Sequence, residues 1–485
     1  MRKVIFIEPK APDFHIYSKF QMPRLGCYIL AALMKKRGWD ADVVFEEIRK
    51  IDFKDIADAE LVGISTITST APRAYRIADE VRRMGTPVIM GGPHVSFLSE
   101  EALEHADFVI RGEGEKGMTA LAERIEKGDD DYSEVPNLSY KKHGRIMHNP
   151  MAPRIDCLDN NPFPDTALLK GMKRKGICSR VIPIQTSRGC PHDCTFCSVT
   201  GMFGKAYRFR STQNIIEELR LYDDKKNALF FCDDNFGLNP KRARALLNAM
   251  IAERFRFRWS TQVRADIVKD EELVHLMRKA GCRTVYVGFE SVNPESLKAM
   301  KKRQTVEEII RAVRILRRHH LHIHGMFVYG FDEDDWKTIK KTVKFARRAK
   351  LNSTQFLILT PLPGSKLFSQ MRAEKRIIFK DWGLYDAHHV VFQPRRLSVF
   401  RLQRAQTFSH AKFYSIREGV KKFFRFQWVD LAIGSYARKL NRSWIKKNRT
   451  FLKVLDLLAA KKSDKVIVDL ERRVVLDFAE SEHKA

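Results

Sequence analysis

One short stretch constrains this chain more than any other: Gln185-Thr-Ser-Arg-Gly-Cys190-Pro-His-Asp-Cys194-Thr-Phe-Cys197. Three cysteines in C-x3-C-x2-C spacing follow an apolar run at 180–184 and precede a loop rich in glycine and aromatic residues. Soft thiolates on one tight turn select zinc or iron-sulfur sites. A structural zinc site closes with four ligands, and the local alternatives are only His192 and Asp193, inside the turn itself. The spacing therefore points to a four-iron cluster with three corners capped by protein and one iron left open.

The rest of the chain gives that turn a setting. With 485 residues there is room for two or three domains, each with its own core. No uninterrupted apolar run reaches the roughly 18 residues of a membrane span, and the N-terminus meets a charge and Pro9 too early for a secretory signal, so a cytoplasmic protein is expected. Eight cysteines, three of them in the turn, suit a reducing compartment where thiolates survive unpaired. The net charge of +29 asks for an anionic partner: nucleic acid, a phospholipid surface or a phosphorylated substrate.

Through residue 128, apolar strand patterns alternate with helical ones, starting from Lys3-Val-Ile-Phe-Ile-Glu8. That alternation predicts a doubly wound, Rossmann-like parallel sheet, with ligands beyond the carboxyl ends of its strands. Those ends carry Ser65-Thr66, Gly91-Gly92-Pro93-His94 and Gly112-Glu113-Gly114-Glu115. Residues 129–180, broken by prolines, read as a linker with a small hairpin around 137–148. From 181 to 375 six β-α units follow, as in an open, partial (β/α)6 barrel whose ligands lie at the C-terminal strand ends. Asp233, Asp234, Arg264, Glu290 and Gly330 fall at those ends. Asp233 and Asp234 are neighbours on a strand and point oppositely, so only one of them can face the cavity.

The cysteine turn, with the aromatic Phe196 directly before Cys197, resembles the signature of the radical S-adenosylmethionine (SAM) superfamily. An α/β domain directly before it, with Gly-Gly-Pro-His and Gly-Glu-Gly-Glu turns, is similar to the opening domain of the subfamily that binds cobalamin (vitamin B12). The resemblance covers about residues 1–375. It implies a [4Fe-4S] cluster on Cys190, Cys194 and Cys197, and an open iron that chelates SAM. It further implies a 5'-deoxyadenosyl radical that abstracts hydrogen from an unactivated carbon, and a cobalamin that most often supplies a methyl group. Phe196, Arg264, Glu290 and Gly330 are then expected at SAM. Ser65, Gly91, Gly92, Gly112 and Glu113 are expected at the corrin, where glycine leaves no Cβ in the way. Asp13-Phe-His15-Ile-Tyr-Ser18 nearly matches the Asp-x-His-x-x-Gly pattern of a lower cobalt ligand, so the lower face holds either His15 or no histidine.

Residues 376–485 read as a basic, mostly helical region. Between His410 and Lys453 there are twelve Lys or Arg against two acids, interleaved with aromatic residues. On a helix, Val429, Ile433, Tyr436, Leu440 and Trp444 share one stripe. That suits a helix lying on an anionic membrane, and equally a basic helix packed on the barrel.

The expected protein is thus a cobalamin-dependent radical SAM methyltransferase or cyclase, peripheral at the inner face of the membrane. Its substrate is a small molecule, a lipid or isoprenoid, and its electrons come from a donor such as flavodoxin or ferredoxin. One rival is an RNA-modifying methylthiotransferase, which the charge would suit. That family carries three further cluster cysteines, whereas only Cys27 precedes residue 150 here, so no specific nucleic acid is expected. The other rival, a non-enzymatic cobalamin sensor, leaves an intact cysteine set idle.

Overall fold

The computed structural model describes residues 1–11, 22–165 and 180–460, together with the backbone of Val466–Asp469 and Val474–Asp477. By internal contacts the chain divides into two compact units. The first takes in most of residues 1–234; the second takes in 235–485 and the short segment His192–Cys197.

The first unit is built on a seven-stranded sheet in the order β2-β1-β3-β4-β5-β6-β7. These strands are β1 (Lys3–Glu8), β2 (Asp40–Phe45), β3 (Leu61–Ser65), β4 (Val88–Gly91), β5 (Phe108–Ile110), β6 (Leu138–Lys142) and β7 (Arg145–His148). The first five run parallel. Val4, Phe6, Leu61 and Ile89 are buried, because helices cover both faces and the strands must read as continuous apolar runs. The hairpin of β6 and β7 lies inside the stretch expected to be linker, yet β6 bonds antiparallel to β5 and so extends the sheet. The strand order reverses beside β1, where ligands of such sheets gather.

The same unit contains β8 (Arg180–Ile184), the short pair β9 (Ser187–Arg188) and β10 (Arg208–Phe209), and β11 (Asn227–Phe231), which runs parallel to β8. The second unit continues with β12 (Arg258–Val263), β13 (Cys282–Glu290), β14 (His322–Tyr329) and β15 (Ser353–Ile358), all parallel and in chain order. With β8 and β11 these make six strands, each followed by helix, as the periodicity predicts. Thr305 and Glu308 form a reciprocal capping box before the helix Val306–Arg318, which fixes where that helix starts and where β14 can begin. Phe327 and Phe356 stack at 5.7 Å, and Phe356 meets His410 of the helix Val399–Phe413 edge-on at 5.3 Å. The basic C-terminal region is therefore part of the second unit's core.

That packing corrects the stripe expected on the helix Trp428–Lys447. Leu440 and Trp444 are buried, but so are Asp430, Gly434 and Ala437, while Val429 and Tyr436 are exposed. The covered face of this helix is turned from the expected stripe, and Trp444 lies 5.1 Å from the His389 ring. Among the described residues no helix is long and apolar enough to cross a membrane.

Candidate functional site

In the first unit, Ser65, Gly91, Gly92, Gly112 and Glu113 all line one cavity of about 290 Å³ beyond the strand ends. Its walls are largely apolar, with Leu30 from the helix Leu25–Lys36, Ile67 and Met90 from the strand ends and Met202 and Phe203 from the helix Val199–Phe203. The glycines differ in what they do there. Gly92 has φ 104°, and a Cβ on it would stand 2.4 Å from the Thr66 carbonyl oxygen; it is required by the turn. A Cβ on Gly91 would meet nothing closer than 3.9 Å, so its α-carbon presents bare backbone to open space. Ser96 joins the turns: its hydroxyl donates to the Gly92 carbonyl at 2.8 Å and accepts from the Gly112 N–H at 2.9 Å. No pattern in the sequence marks Ser96. An apolar cavity with exposed backbone at Gly91 fits a flat macrocycle.

The Glu113 carboxylate is already engaged. Arg208 donates to both its oxygens, at 2.8 and 2.9 Å, and Arg188 donates to it at 3.2 Å and to Glu115 at 2.6 Å. All four side chains are buried. Burial alone would raise the Glu113 pKa, but the Arg208 hydrogen bond and the Arg188 charge outweigh it and hold the group below its ordinary value. Glu113 lines the cavity as part of a buried ion network that ties the β5 turn to β9 and β10. Burial pushes the nearby Cys27 thiol up to about 12, keeping it neutral. His15 lies outside the described residues.

Asp233, fully buried, accepts from the backbone N–H groups of Thr186 and Ser187 at 2.7 and 3.0 Å and from the Thr186 hydroxyl. It shapes the turn that leads into the cysteine loop, which leaves Asp234 as the freer of the two acids. Burial, and then the charge of Asp233, push Asp234 up to about 6 against a hydrogen bond from Gly189. Cys190 donates its N–H to the Gly204 carbonyl at 3.3 Å.

In the second unit the segment His192–Cys197 is anchored at several points. Thr195 donates to the Met300 carbonyl at 3.3 Å and accepts from the Leu367 N–H at 2.9 Å, and Lys366 pairs with Asp193. Phe196 packs edge-on to Phe331 at 6.1 Å. Around Cys194, burial raises the thiol pKa while the charges of Lys302 and Arg264 lower it. His192 is lowered by burial and by Arg264. Among the described residues no three His, Cys, Asp or Glu side chains already form a metal-binding group. Cys190, Cys194 and Cys197 share one loop, and a cluster bound there would contribute its own ordering energy.

The polar groups facing Cys194 form a buried set at the ends of β12 and β13. Arg264 donates to the Lys302 carbonyl at 2.9 Å and pairs with Asp266 at 3.2 Å. Lys302 donates to the Glu290 carboxylate at 2.7 Å, with both side chains buried. Glu290 sits at φ 59°, a left-handed conformation uncommon outside glycine, where β13 slips register against β14. Gly288 makes room for it: a Cβ there would lie 2.4 Å from the Glu290 carboxylate oxygen. Gln304 donates to the carbonyls of Gly288 and Phe289 at 3.3 and 2.8 Å, yet its own side-chain oxygen is buried without a hydrogen-bond partner. Such an orphaned acceptor is costly unless a donor arrives, and it fits the ammonium or a ribose hydroxyl of SAM. The structure brings Arg264 and Glu290, both expected from sequence, together with Lys302 and Gln304, which follow a turn and carry no motif.

Gly330, expected at SAM, is closely packed on the side where a Cβ would stand. A Cβ on it would meet Leu402 and Phe392, each at 3.0 Å, so the protein's own C-terminal residues fill that side. Its N–H donates to Asp334 at 2.9 Å, as does Phe331's at 3.1 Å, and Ser296 donates from the side at 2.8 Å. Burial still pushes Asp334 up to about 6.

Two matches with known families coincide with these two sites. Residues 184–346 match the radical SAM superfamily and residues 15–122 match the B12 binding domain. An uncharacterized methyltransferase of Pyrococcus horikoshii is 32% identical over 406 residues, spanning 81% of this chain and 88% of that protein. The chain belongs to the cobalamin-binding radical SAM family. This radical SAM enzyme is also 28% identical over 406 residues to the bacteriochlorophyllide d C-12(1)-methyltransferase of Chlorobaculum tepidum, covering 83% and 85% of the two chains. Its fold is shared with TsrM, the radical SAM methyltransferase of Kitasatospora setae solved with cobalamin and a [4Fe-4S] cluster, at TM-score 0.64 and 20% identity over 77% of this chain and 75% of that one. The enzyme is of methyltransferase or cyclase type, works on a small molecule, and takes an iron-sulfur cluster, SAM and cobalamin as cofactors.

Proposed function

We propose that this enzyme methylates an unactivated carbon of an apolar small molecule, a lipid or isoprenoid. When bound, the cluster and SAM supply a carbon-centred radical that takes hydrogen from the substrate, and cobalamin supplies the methyl group. Cys190, Cys194 and Cys197 hold the cluster. Arg264 would face the carboxylate of SAM, the Gln304 oxygen would accept from its ammonium or ribose, and the Lys302–Glu290 pair fixes the strand end beside them. Gly91 would offer bare backbone to the corrin, and the apolar cavity walls would cover its faces. The observation that carries this reading is the buried charged set around Cys194, which suits a small zwitterion such as SAM.

A small acidic redox protein of the flavodoxin or ferredoxin type would supply electrons, drawn by the net charge of +29. The basic C-terminal region supports peripheral contact at the inner face of the membrane, where an apolar substrate would be met.

Full-length protein reconstituted without oxygen is expected to bind four irons, retain hydroxocobalamin through gel filtration and cleave SAM under reductant. The triple variant Cys190→Ala/Cys194→Ala/Cys197→Ala is expected to lose the iron and the cleavage and keep the corrin. Stoichiometric zinc with no SAM cleavage would sink the enzymatic reading.

A further inference from the structure

We infer that the corner between the helices Ile416–Phe424 and Trp428–Lys447 is where the enzyme docks on an anionic bilayer, a step that rests on the peripheral-membrane reading and gives it a place. The helix Ile416–Phe424 is amphipathic in the inverted sense. Glu418 pairs with Arg347 at 2.5 Å and Lys422 donates to the Asn352 carbonyl at 3.1 Å, so its polar face is pinned to the protein. Its apolar positions, Ile416, Val420, Phe423 and Phe424, recur every three to four residues on the opposite face and all are exposed. A helix serving only a water-soluble core turns the other way.

The exposed surface continues past the helix. Phe424 is 72%, Phe426 76% and Trp428 52% exposed, although Phe426 and Trp428 contact one another at 6.0 Å and Phe423 meets Trp428 at 5.3 Å. This is a preassembled cluster of rings facing water, of the kind that marks an interaction site. Lys421, Lys422 and Arg425 are interleaved with those rings, and with Arg317, Arg347 and Lys350 they line a groove of about 470 Å³. Of its two acids, Glu418 is neutralised by Arg347 and Lys421, and Asp430 accepts from the Asn352 amide at 3.0 Å, so cations dominate the groove. Protruding aromatic residues beside a cationic groove complement acyl chains and anionic headgroups together. A bare nucleic acid or an acidic protein would satisfy the groove and leave the rings in water.

The test is co-sedimentation of the full-length enzyme with vesicles of phosphatidylcholine alone or mixed with phosphatidylglycerol. Binding is expected only to the mixed vesicles and should weaken with salt. Phe424→Gln/Phe426→Gln should reduce it about tenfold or more and Arg425→Gln about fivefold, with Tm and SAM cleavage unchanged. Leu457→Gln, another exposed apolar site, should change nothing. If the vesicles still bind the double variant, the docking corner is wrong and the peripheral-membrane reading stands. If they bind no form of the enzyme, both fall. A concentration-dependent dimer abolished by the double variant, without vesicle binding, would overturn the proposal in favour of self-association.

Discussion

The strand ends of the two units hold polar groups in opposite ways. Beyond β3, β4 and β5 the first unit presents backbone and apolar side chains to its cavity, and its buried charges, Glu113 with Arg188 and Arg208, are satisfied by one another. Beyond β12 and β13 the second unit buries Arg264, Glu290 and Lys302 beside Cys194 and leaves the Gln304 oxygen without a partner. A flat, largely apolar macrocycle needs shape and close approach, whereas a zwitterion needs fixed charge. On the proposed reading, the difference teaches that one protein can prepare for two ligands by placing glycine where contact is with backbone and buried ion pairs where contact is with charge.

The largest effect expected comes from breaking the charged side. Lys302→Met leaves the Glu290 carboxylate buried without its cation, and removing one partner of a buried pair costs about 3–5 kcal/mol. Lys302→Met/Glu290→Leu should recover most of that stability, because two apolar groups replace the pair, yet SAM cleavage should remain lost. Urea midpoints and SAM cleavage measured on the same proteins separate scaffold from ligand contact. A double variant that cleaves SAM normally would show the pair to be scaffold alone and erase the contrast between the units.

Asp334 sharpens the same contrast through pH. Its folded pKa of about 6 lies above the free value of 3.8. Between those values the folded protein holds a proton that the unfolded chain has released. The contribution is fully present below about pH 4 and is lost as pH rises through 6, amounting to about 3 kcal/mol over the window. Relative to Asp334→Asn, the wild-type chain should therefore lose stability from pH 4 to 6.5 and no further above it. Unfolding midpoints of both proteins across that range test this; parallel curves would mean that the carboxylate stays ionised at the Gly330 turn.

Much of this architecture was legible because local pattern carried it. The cysteine spacing, the alternation of strand and helix and the five cavity-lining residues are statements about neighbours in sequence, and all five residues do share one cavity. What was hidden depends on distant pairing. Nothing near Glu113 announces Arg208, 95 residues away, and nothing near Glu290 announces that Lys302 will neutralise it. Nothing near Gly330 announces that Leu402, 72 residues on, will pack where its Cβ would stand. The face covered on the helix Trp428–Lys447 was misjudged for a related reason: periodicity shows that a helix has two faces but not which of them a neighbour will cover. At the helix Ile416–Phe424 the same ambiguity conceals an apolar face left outside.

The smallest effect expected separates two adjacent glycines that sequence cannot tell apart. Gly92→Ala puts a Cβ 2.4 Å from the Thr66 carbonyl oxygen at φ 104°, and left-handed strain alone costs about 1–2 kcal/mol. The β4 turn must shift, and the protein should lose at least about 2 kcal/mol of stability. Gly91→Ala meets nothing within 3.9 Å and should change stability by less than about 0.5 kcal/mol, as for a surface substitution. It nevertheless places a methyl group where the corrin would approach, so hydroxocobalamin affinity should fall several-fold while the fold and the iron content stay intact. Equilibrium binding followed by the cobalamin visible spectrum, together with unfolding midpoints, measures both quantities. If Gly91→Ala binds the corrin as well as wild type does, the bare backbone at Gly91 is incidental, and the first unit's cavity selects its ligand by its side-chain walls.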